Sequence, residues 1–378
     1  STPRPSDDGR YVSFISRASN IVPDDLNYEM DVFVFDRQTN TTERVSVASD
    51  GTESNGRSES QSISADGRFV AFASAATNLV QDEVNGTVYD VFVHDRLTGT
   101  TRRVSQSSAG IQANNTSTEP RISANGQAVI FKSLADNLVA NDTNGSYDLF
   151  YHILSNSQTI RIGTGAYFGD QLPDISGDGR YVSFATPDSH VAEDTNGTTD
   201  VYVYDVQTGI LDLISKNQSG GAAAGTSPSI SADGRYVSFK SSGDNIIDEA
   251  YLSIGQIFLY DRQTNTMELI SRSDAGTPIG RVSQHQLSNN GRVLVFNSHL
   301  NDYVAADTND LTDVFRRDLV SGVTEIVSSG FDGSQSDFDS EFPDVDASGN
   351  LIVFESYANN IVDGAYSYSP ADLSLIHI

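Results

Sequence analysis

The chain has 378 residues, no cysteine and a formal net charge of −28, from 23 Lys and Arg against 51 Asp and Glu. Such a charge would repel the phosphates of nucleic acids and of anionic membranes, and no apolar run reaches the roughly 18 residues of a transmembrane helix. Without cysteine, disulfides, thiolate catalysis and cysteine-bound metals are excluded. We therefore expect no nucleic-acid partner and no membrane span in this sequence.

A turn of the form Ser-x-Asp-Gly-Arg, or a close variant, recurs along the chain at intervals of 53 to 59 residues. A repeat of this length indicates one structural unit for each copy. The glycines of the seven turns are Gly9, Gly67, Gly126, Gly179, Gly234, Gly291 and Gly349.

Each unit contains the pattern of four short strands. After the turn comes an alternating strand, such as Tyr-Val-Ser-Phe-Ile-Ser from Tyr11, and about 15 residues later an Asp-Val-Phe-type strand, such as 31–36. A tight turn with Asn or Gly, such as 36–40, leads to a third strand that ends at Val45-Ser46. A last short strand, such as 60–64, precedes the next turn. With no helical periodicity, this pattern predicts a four-stranded antiparallel blade.

The predicted fold is all-β, a β-propeller of four-stranded antiparallel blades, because a single blade cannot bury both of its faces and must stack on its neighbours. Six blades are complete, and the first two strands of a seventh lie around 342–349 and 351–356. Seven blades are the leading interpretation and eight are the alternative. We assign residues 1–372 to this single propeller domain.

The blades resemble the TolB-like, WD-type β-propeller repeats of bacterial periplasmic and secreted proteins, with Ser-Ala-Asp-Gly-Arg at 64–68 and 231–235 as the signature turn. The resemblance implies the fold and an exported protein, either periplasmic, cell-surface or secreted. It does not imply one activity, because this superfamily includes scaffolds, receptors and enzymes. The sequence departs from TolB in lacking its separate N-terminal domain and in having longer blades.

The last six residues, Leu-Ser-Leu-Ile-His-Ile at 373–378, resemble the translation of a transposon-end adapter used in sequencing libraries. We therefore expect 373–378 to be a non-native tail. The natural protein is expected to continue in both directions, with its targeting signal outside this fragment.

An acidic loop precedes the Asp-Val-Phe-type strand of each blade. Four blades carry Asp-x-Asn-x-x-x-Asp there, the second carries a stretched version, and the fifth, around Asp248 and Gln256, lacks the Asn and the final Asp. Oxygen ligands at positions one, three and seven suit a hard cation such as Ca²⁺ and resemble the first half of an EF-hand loop. The candidate metal ligands are Asp25, Asn27 and Asp31; Asp82, Asn85 and Asp90; Asp142, Asn144 and Asp148; Asp194, Asn196 and Asp200; and Asp307, Asn309 and Asp313.

The second half of an EF-hand is missing from these loops. Asp205, at the twelfth position of the fourth loop, lies five strand residues beyond Asp200, about 16 Å away, and is expected to cap the following hairpin. A Ca²⁺ ion would therefore need backbone carbonyls, water or a neighbouring loop, and its role would be structural. The alternative is that these Asp and Asn residues only form turns, since their side chains bond their own backbone two residues on.

The sequence offers little for catalysis. It has no Gly-x-Ser-x-Gly elbow, and His94 and His152 fall at strand positions that aromatic residues occupy in other blades. We therefore hypothesise a non-catalytic scaffold that binds a protein or glycan partner through one rim of loops. The alternative is a carbohydrate-active enzyme, a lyase or hydrolase, that uses the central pocket, with His285 and His299 as its candidates.

Two further features of the repeat bear on that rim. The Gly/Ser/Asn-rich segments between blades, such as 48–60 and 216–227, should emerge on the same face as the acidic loops, because strand direction alternates. They are either a partner-binding surface or solvated connectors. The Arg of each Asp-Gly-Arg turn is expected to pair with a neighbouring Asp.

Overall fold

The computed structural model describes residues 3–165, 172–243, 246–249, 254–273 and 275–361, and the backbone of a strand at 374–377. In this part of the chain the protein is all-β, and its strands form seven antiparallel sheets that follow chain order. Six sheets have four strands, so the predicted six complete blades are confirmed, as are the first two strands of a seventh. The first three blades belong to one compact unit and the remaining blades to a second.

In the first unit, each blade is a meander in which every strand pairs with the next one along the chain. The strands of blades one to three are β1 (Arg4–Pro5), β2 (Tyr11–Ser16), β3 (Asp31–Asp36), β4 (Thr41–Arg44), β5 (Ser58–Ile63), β6 (Phe69–Ser74), β7 (Asp90–Asp95), β8 (Thr100–Arg103), β9 (Ser117–Ile122), β10 (Ala128–Ser133), β11 (Asp148–Ile153) and β12 (Gln158–Gly163).

The second unit repeats the same meander, with a single 3₁₀ turn at Asn301–Tyr303 in its described residues. The strands of blades four to six are β13 (Asp174–Ile175), β14 (Tyr181–Thr186), β15 (Asp200–Asp205), β16 (Ile210–Leu213), β17 (Thr226–Ile230), β18 (Tyr236–Ser241), β19 (Gln256–Asp261), β20 (Thr266–Leu269), β21 (Val282–Leu287), β22 (Val293–Ser298), β23 (Asp313–Asp318) and β24 (Thr324–Ile326). The seventh blade contains β25 (Ser340–Val345), β26 (Ile352–Ser356) and β27 (Ser374–His377).

The strand β27 lies within the segment that we expect to be a non-native tail. Its backbone pairs antiparallel with β26, so that the seventh sheet has three strands. Residues 373 and 378 of the predicted tail lie outside the described residues. The non-native origin of 373–378 remains a prediction.

The core lies between successive blades. In the first unit, Val32 and Val34 of β3 pack with Val70 and Phe72 of the next blade in one buried cluster. In the second unit, β15 packs in the same way against β18. The two central strands of each blade are therefore buried on both faces, which explains their nearly continuous apolar sequences.

The signature turn fixes its own geometry through side-chain hydrogen bonds. Ser64 Oγ donates to Asp66 Oδ1 (2.7 Å) and accepts the backbone N–H of Phe69 (2.9 Å). Arg68 forms a two-pronged ion pair with Asp95 at the end of β7 (2.8 and 2.7 Å), which confirms the predicted pairing and places it within one blade. This guanidinium lowers the pKa of Asp95 to about 2.

Candidate cation-binding loops

In the first blade, the loop between β2 and β3 brings three carboxylates together. Asp25 and Asp31 are buried, and Glu53 reaches them from the segment after β4. One carboxylate oxygen from each lies within 4.8 Å of the other two. Asp31, the first residue of β3, accepts hydrogen bonds from Ser46 Oγ (2.5 Å) and Ser54 Oγ (3.0 Å). Neither oxygen of Asp25 has a hydrogen-bond donor.

The loop asparagines are engaged in shaping the turn. Asn27 Oδ1 accepts the backbone N–H of Glu29 (2.7 Å), while its amide group donates to Asp31 Oδ2 (2.8 Å). This bond from the Asn oxygen to the backbone two residues on is the turn-forming role that the sequence left open. The same Oδ1 contact is formed by Asn144 (3.0 Å), Asn196 (2.9 Å) and Asn309 (3.0 Å).

An arginine enters the acidic loop in each of the first three blades. In the third blade, Arg161 Nη1 lies 2.8 Å from Asp148 Oδ2 and 3.1 Å from Asp142 Oδ1, and so bridges both carboxylates. In the first blade, Arg44 Nη1 lies 2.5 Å from Glu53 and 3.9 Å from Asp25. These arginines were not among the residues predicted from the sequence. Their signal is spacing, since Arg44, Arg103 and Arg161 each lie thirteen residues after the final Asp of their loop.

The stretched loop of the second blade uses a different acid from the one that the sequence suggested. Asp82 is 70% exposed at its side chain, whereas Glu83 is 6% exposed and points inward. Arg103 pairs with both, at 2.8 Å and 3.1 Å. Gln112 Nε2 joins Glu83 (2.6 Å) to Asp90 (2.7 Å). Burial raises the pKa of Asp90 to about 6.

In the fourth blade, the residue thirteen positions after the final Asp is Leu213, and the two buried loop acids face no arginine in the contacts described. Asp200 Oδ1 accepts hydrogen bonds from Ser215 (3.0 Å) and Asn196 (3.2 Å), while Asp194 Oδ2 accepts the hydroxyl of Tyr202. The second oxygen of each carboxylate has no hydrogen-bond donor. Burial raises the pKa of Asp200 to about 6, and the charge of Asp194 acts in the same direction.

The sixth blade leaves its loop acids with the fewest partners. Asp313 Oδ1 accepts from Ser328 (2.5 Å) and Ser336 (2.9 Å), but its Oδ2 has no donor. Asp307 is 3% exposed, and neither of its oxygens has a donor. Ile326 takes the position that arginine has in the first three blades. Burial raises the pKa of Asp307 to about 6, with the Asp313 charge adding to the shift.

The fifth blade carries no buried acidic pair in its described loop residues. Gln256 takes the position of the final Asp and accepts a hydrogen bond from Ser271 through its neutral amide oxygen. Asp248 is exposed, and Glu249 pairs with Arg272 (2.9 Å).

The candidate histidines of the enzyme alternative are not brought together. His285 lies opposite Phe296 in the β21–β22 pair, with both ring nitrogens buried, and burial near Lys240 lowers its pKa to about 3. His299 is exposed just beyond β22, where Arg281 contacts it at 3.5 Å. His285 pairs with Phe296, which is three residues before His299, so about 10 Å of strand separates the two histidines.

His94 and His152 are packed strand residues, as predicted. Nδ1 of His94 lies 2.8 Å from Thr101 Oγ1, and Nδ1 of His152 lies 2.9 Å from Thr159 Oγ1. The hydroxyl of Thr159 donates to the carbonyl of Gln106 (2.5 Å), so the histidine Nδ1 carries the proton in this contact.

The segments between blades meet the acidic loops, which confirms that the two emerge on one face of their blades. Glu53 accepts the backbone N–H of Leu26 (3.0 Å), and Gln112 accepts that of Val84 (3.0 Å). Asp205, in contrast, accepts the N–H of Gln207 (2.9 Å) and caps the hairpin at the other end of its strand.

Comparison with solved structures confirms the fold. The sequence matches no protein-family profile and no curated protein. The chain is similar to the β-propeller domain of the trilobed protease from Pyrococcus furiosus, at 12% identity and a TM-score of 0.57, over 94% of this chain and 88% of that one. It is also similar to an oligogalacturonate lyase in complex with manganese, at 12% identity and a TM-score of 0.54, over 94% and 85% of the two chains.

TolB structures are among the neighbours, as the signature turn implied. TolB from Acinetobacter baumannii aligns at 14% identity and a TM-score of 0.48, over 85% of this chain, which spans 64% of the length of that protein. At these identities, the similarities to solved structures show the β-propeller fold alone. No helix in the described part of the chain has the length and hydropathy of a membrane span.

Proposed function

We propose that this chain is a non-catalytic, exported propeller scaffold that binds a protein or glycan partner at the rim of acidic loops, and that Ca²⁺ stabilises those loops. The observation that carries the proposal is Asp307, a carboxylate with 3% exposure and no hydrogen-bond donor, beside the equally buried Asp313. Two buried carboxylates without a counter-charge are costly. A hard cation with oxygen ligands relieves that cost.

The donor chemistry of the loops supports Ca²⁺ over softer metals. The buried unpartnered atoms are carboxylate oxygens, and the chain has no cysteine. The fourth and sixth blades each supply two buried carboxylates, so backbone carbonyls and water would complete the shell. Affinity in the extracellular range, on the order of 10⁻⁴ to 10⁻³ M, is expected for such a site. An exported location supplies Ca²⁺ at that concentration.

A strained tyrosine supports partner binding at the same rim. Tyr28, in the first acidic loop, has a φ of 59°, a conformation that glycine adopts at the equivalent Gly145 and Gly197. Its side chain is 77% exposed, and Leu26, two residues before it, is 72% exposed. A strained backbone and an exposed aromatic ring both lower the stability of the fold. Residues with such unfavourable backbone angles concentrate at functional sites. Tyrosine is also common among the residues that dominate binding interfaces.

The enzyme alternative receives less support from the site geometry. His285 and His299 lie apart, and the low pKa of His285 leaves it neutral at physiological pH, without a proton to donate from a charged ring. The similarity to an oligogalacturonate lyase lies in the fold. We therefore place function in the loops and not in a catalytic centre.

Thermal unfolding in millimolar CaCl₂ and in EDTA tests the cation part of the proposal. Calcium should raise the melting temperature of the full chain, and the Asp194→Ala/Asp200→Ala variant should lose part of that rise. The Asp248→Ala variant, in the fifth blade, serves as the matched control and should keep all of it. Equal melting temperatures of the wild-type chain in CaCl₂ and EDTA would overturn the cation sites.

A further inference from the structure

We infer that the acidic loops of the first six blades, as far as the structure describes them, are of three electrostatic kinds, and that among these loops only those of the fourth and sixth blades take a divalent cation. In blades one to three, an arginine supplies the positive charge, and in the fifth blade, an amide removes the need for it. This assignment rests on the proposed function, because it specifies which loops hold the proposed Ca²⁺.

In the third blade, an arginine occupies the space where a cation would sit. In the third blade, a single guanidinium nitrogen lies 2.8 Å from Asp148 and 3.1 Å from Asp142. A Ca²⁺ ion that bound both carboxylates at 2.3–2.6 Å would lie almost on that nitrogen. Two positive charges at such a distance repel strongly in a buried site. The arginine therefore replaces the ion.

The first blade shows how this replacement works with three acids. Asp25, like Asp307, has no hydrogen-bond donor on either oxygen, but Arg44 lies 3.9 Å from it and pairs with Glu53, and this sets the first blade apart from the sixth. The other terminal nitrogen of Arg44 donates to the carbonyl of Asp24 (2.8 Å). A backbone carbonyl beside the acids is the kind of ligand that Ca²⁺ would use. Here the guanidinium already occupies it. Glu53 is held further by the backbone N–H of Leu26 (3.0 Å).

The fourth and sixth blades have the same paired acids without the arginine. Leu213 and Ile326 stand at its position and contribute no charge. Asp200 and Asp313 are fully buried, and each keeps one oxygen without a donor. In the fourth blade, Asp194 contributes a second such oxygen, and in the sixth blade, Asp307 contributes two. These oxygens belong to side chains that are at least nine-tenths buried, so solvent does not satisfy them.

In the fifth blade, the final position of the loop needs no counter-charge, because its residue is neutral. Its final residue is Gln256, which keeps the hydrogen bond from Ser271 but carries no charge. The position thirteen residues later is Leu269, not arginine. Where the acid is absent the arginine is also absent, which is expected if the arginine serves as a counter-ion to the acids.

Counting bound calcium tests the assignment on the wild-type full chain. Equilibrium dialysis with radioactive Ca²⁺ should give two ions per chain, in 0.15 M NaCl to suppress general attraction to the acidic surface. Zero ions would overturn both this assignment and the cation part of the proposed function. Five ions would support the proposed function but overturn the assignment to two loops. Any other nonzero count besides two would also overturn the assignment.

A matched pair of neutral substitutions locates the ions. Asp307→Asn in the sixth blade should lower the count from two to one, and Asp25→Asn at the same position of the first blade should leave it at two. Both changes preserve side-chain shape, and circular dichroism would establish that each variant is folded. Loss of an ion from Asp25→Asn, or no loss from Asp307→Asn, would overturn the assignment.

Discussion

Tyr11 covers Gly67 of the next blade so closely that a Cβ on the glycine would overlap the tyrosine ring. Gly67 also has a φ of +69°, which side chains other than that of glycine rarely adopt. The pair Phe69 and Gly126 has the same relationship one blade later. At Gly67 and Gly126, glycine is thus required both by its own backbone and by the aromatic residue that begins the second strand of the preceding blade.

Replacing Gly67 with alanine should therefore cost more than backbone strain alone. We expect Gly67→Ala to lower the free energy of unfolding by about 2–4 kcal/mol, of which overpacking against Tyr11 contributes about 1–3 kcal/mol. The control is Gly99→Ala, since Gly99 has a φ of +67° with no atom within 4 Å of the added Cβ. Gly99→Ala should lower the free energy of unfolding by only about 1 kcal/mol. Urea midpoints compare the two, and equal losses would contradict the packing argument.

The fold was predictable because its determinants are local and repeated. Gly67, Asp66 and Arg68 act within one turn, and the central strands alternate or run apolar in every copy, so each copy supports the same interpretation. The aromatic cover on Gly67 was not predicted, although four of the turns are followed by an aromatic residue two positions after the glycine, as in Gly9 and Tyr11. Its meaning depends on how neighbouring blades stack, and a repeat pattern does not specify that arrangement.

The acidic loops were found from spacing, but the residues that neutralise them were not. Arg161 lies thirteen residues beyond Asp148, and only the register of the β11–β12 hairpin brings it back beside the loop. Glu83 was passed over for Asp82 because the motif specifies Asp, although Glu83 lies two residues before Asn85, as Asp25 does before Asn27. Motif matching compares residues along the chain, whereas the charge balance of these sites is set across strands.

Buried His152 should make stability depend on pH in the weakly acidic range. Burial, with Arg102 nearby, lowers its pKa to about 4, whereas in the unfolded chain the value is about 6.5. Below pH 6.5 the unfolded state takes up a proton that the folded state refuses, so stability falls as the pH drops toward 4. His152→Phe, which copies Phe35 at the same strand position of the first blade, should remove about 2 kcal/mol of the loss between pH 8 and pH 5.

Urea unfolding of both proteins at several pH values between 8 and 5 measures this difference. His152→Gln is the control, because an amide keeps a donor for Thr159 and does not titrate in this range. It should follow the shallower profile of His152→Phe. Parallel profiles for wild type and both variants would show that His152 does not hold its depressed pKa in the folded protein.

In blades one, two, four and six, a serine hydroxyl donates to the final loop acid, and this bond should stabilise the fold more than the same bond to a neutral acceptor. Ser105 Oγ donates to Asp90 Oδ1 (2.5 Å) and accepts the N–H of Val91 (3.0 Å). Ser271 makes the same two contacts in the fifth blade, but to the neutral Gln256. We expect Ser105→Ala to lower the free energy of unfolding by about 1.5–3 kcal/mol, and Ser271→Ala to lower it by about 0.5–1.5 kcal/mol. Urea denaturation at pH 8 compares them, and a larger loss for Ser271→Ala would refute the charge argument.

We expect Tyr28 to lower the stability of the chain at the loop that we propose binds a partner. Because its φ of 59° is unfavourable for a side chain, Tyr28→Gly should stabilise the chain by up to about 1 kcal/mol, the difference between αL strain and the flexibility of glycine. The reverse change at the equivalent position, Gly197→Tyr, should destabilise by a similar amount, since Gly197 has a φ of +66° and open space around it. Melting temperatures measure both. If Tyr28→Gly instead destabilises the chain, then the tyrosine is retained for packing, and the strain no longer argues for a partner at this loop.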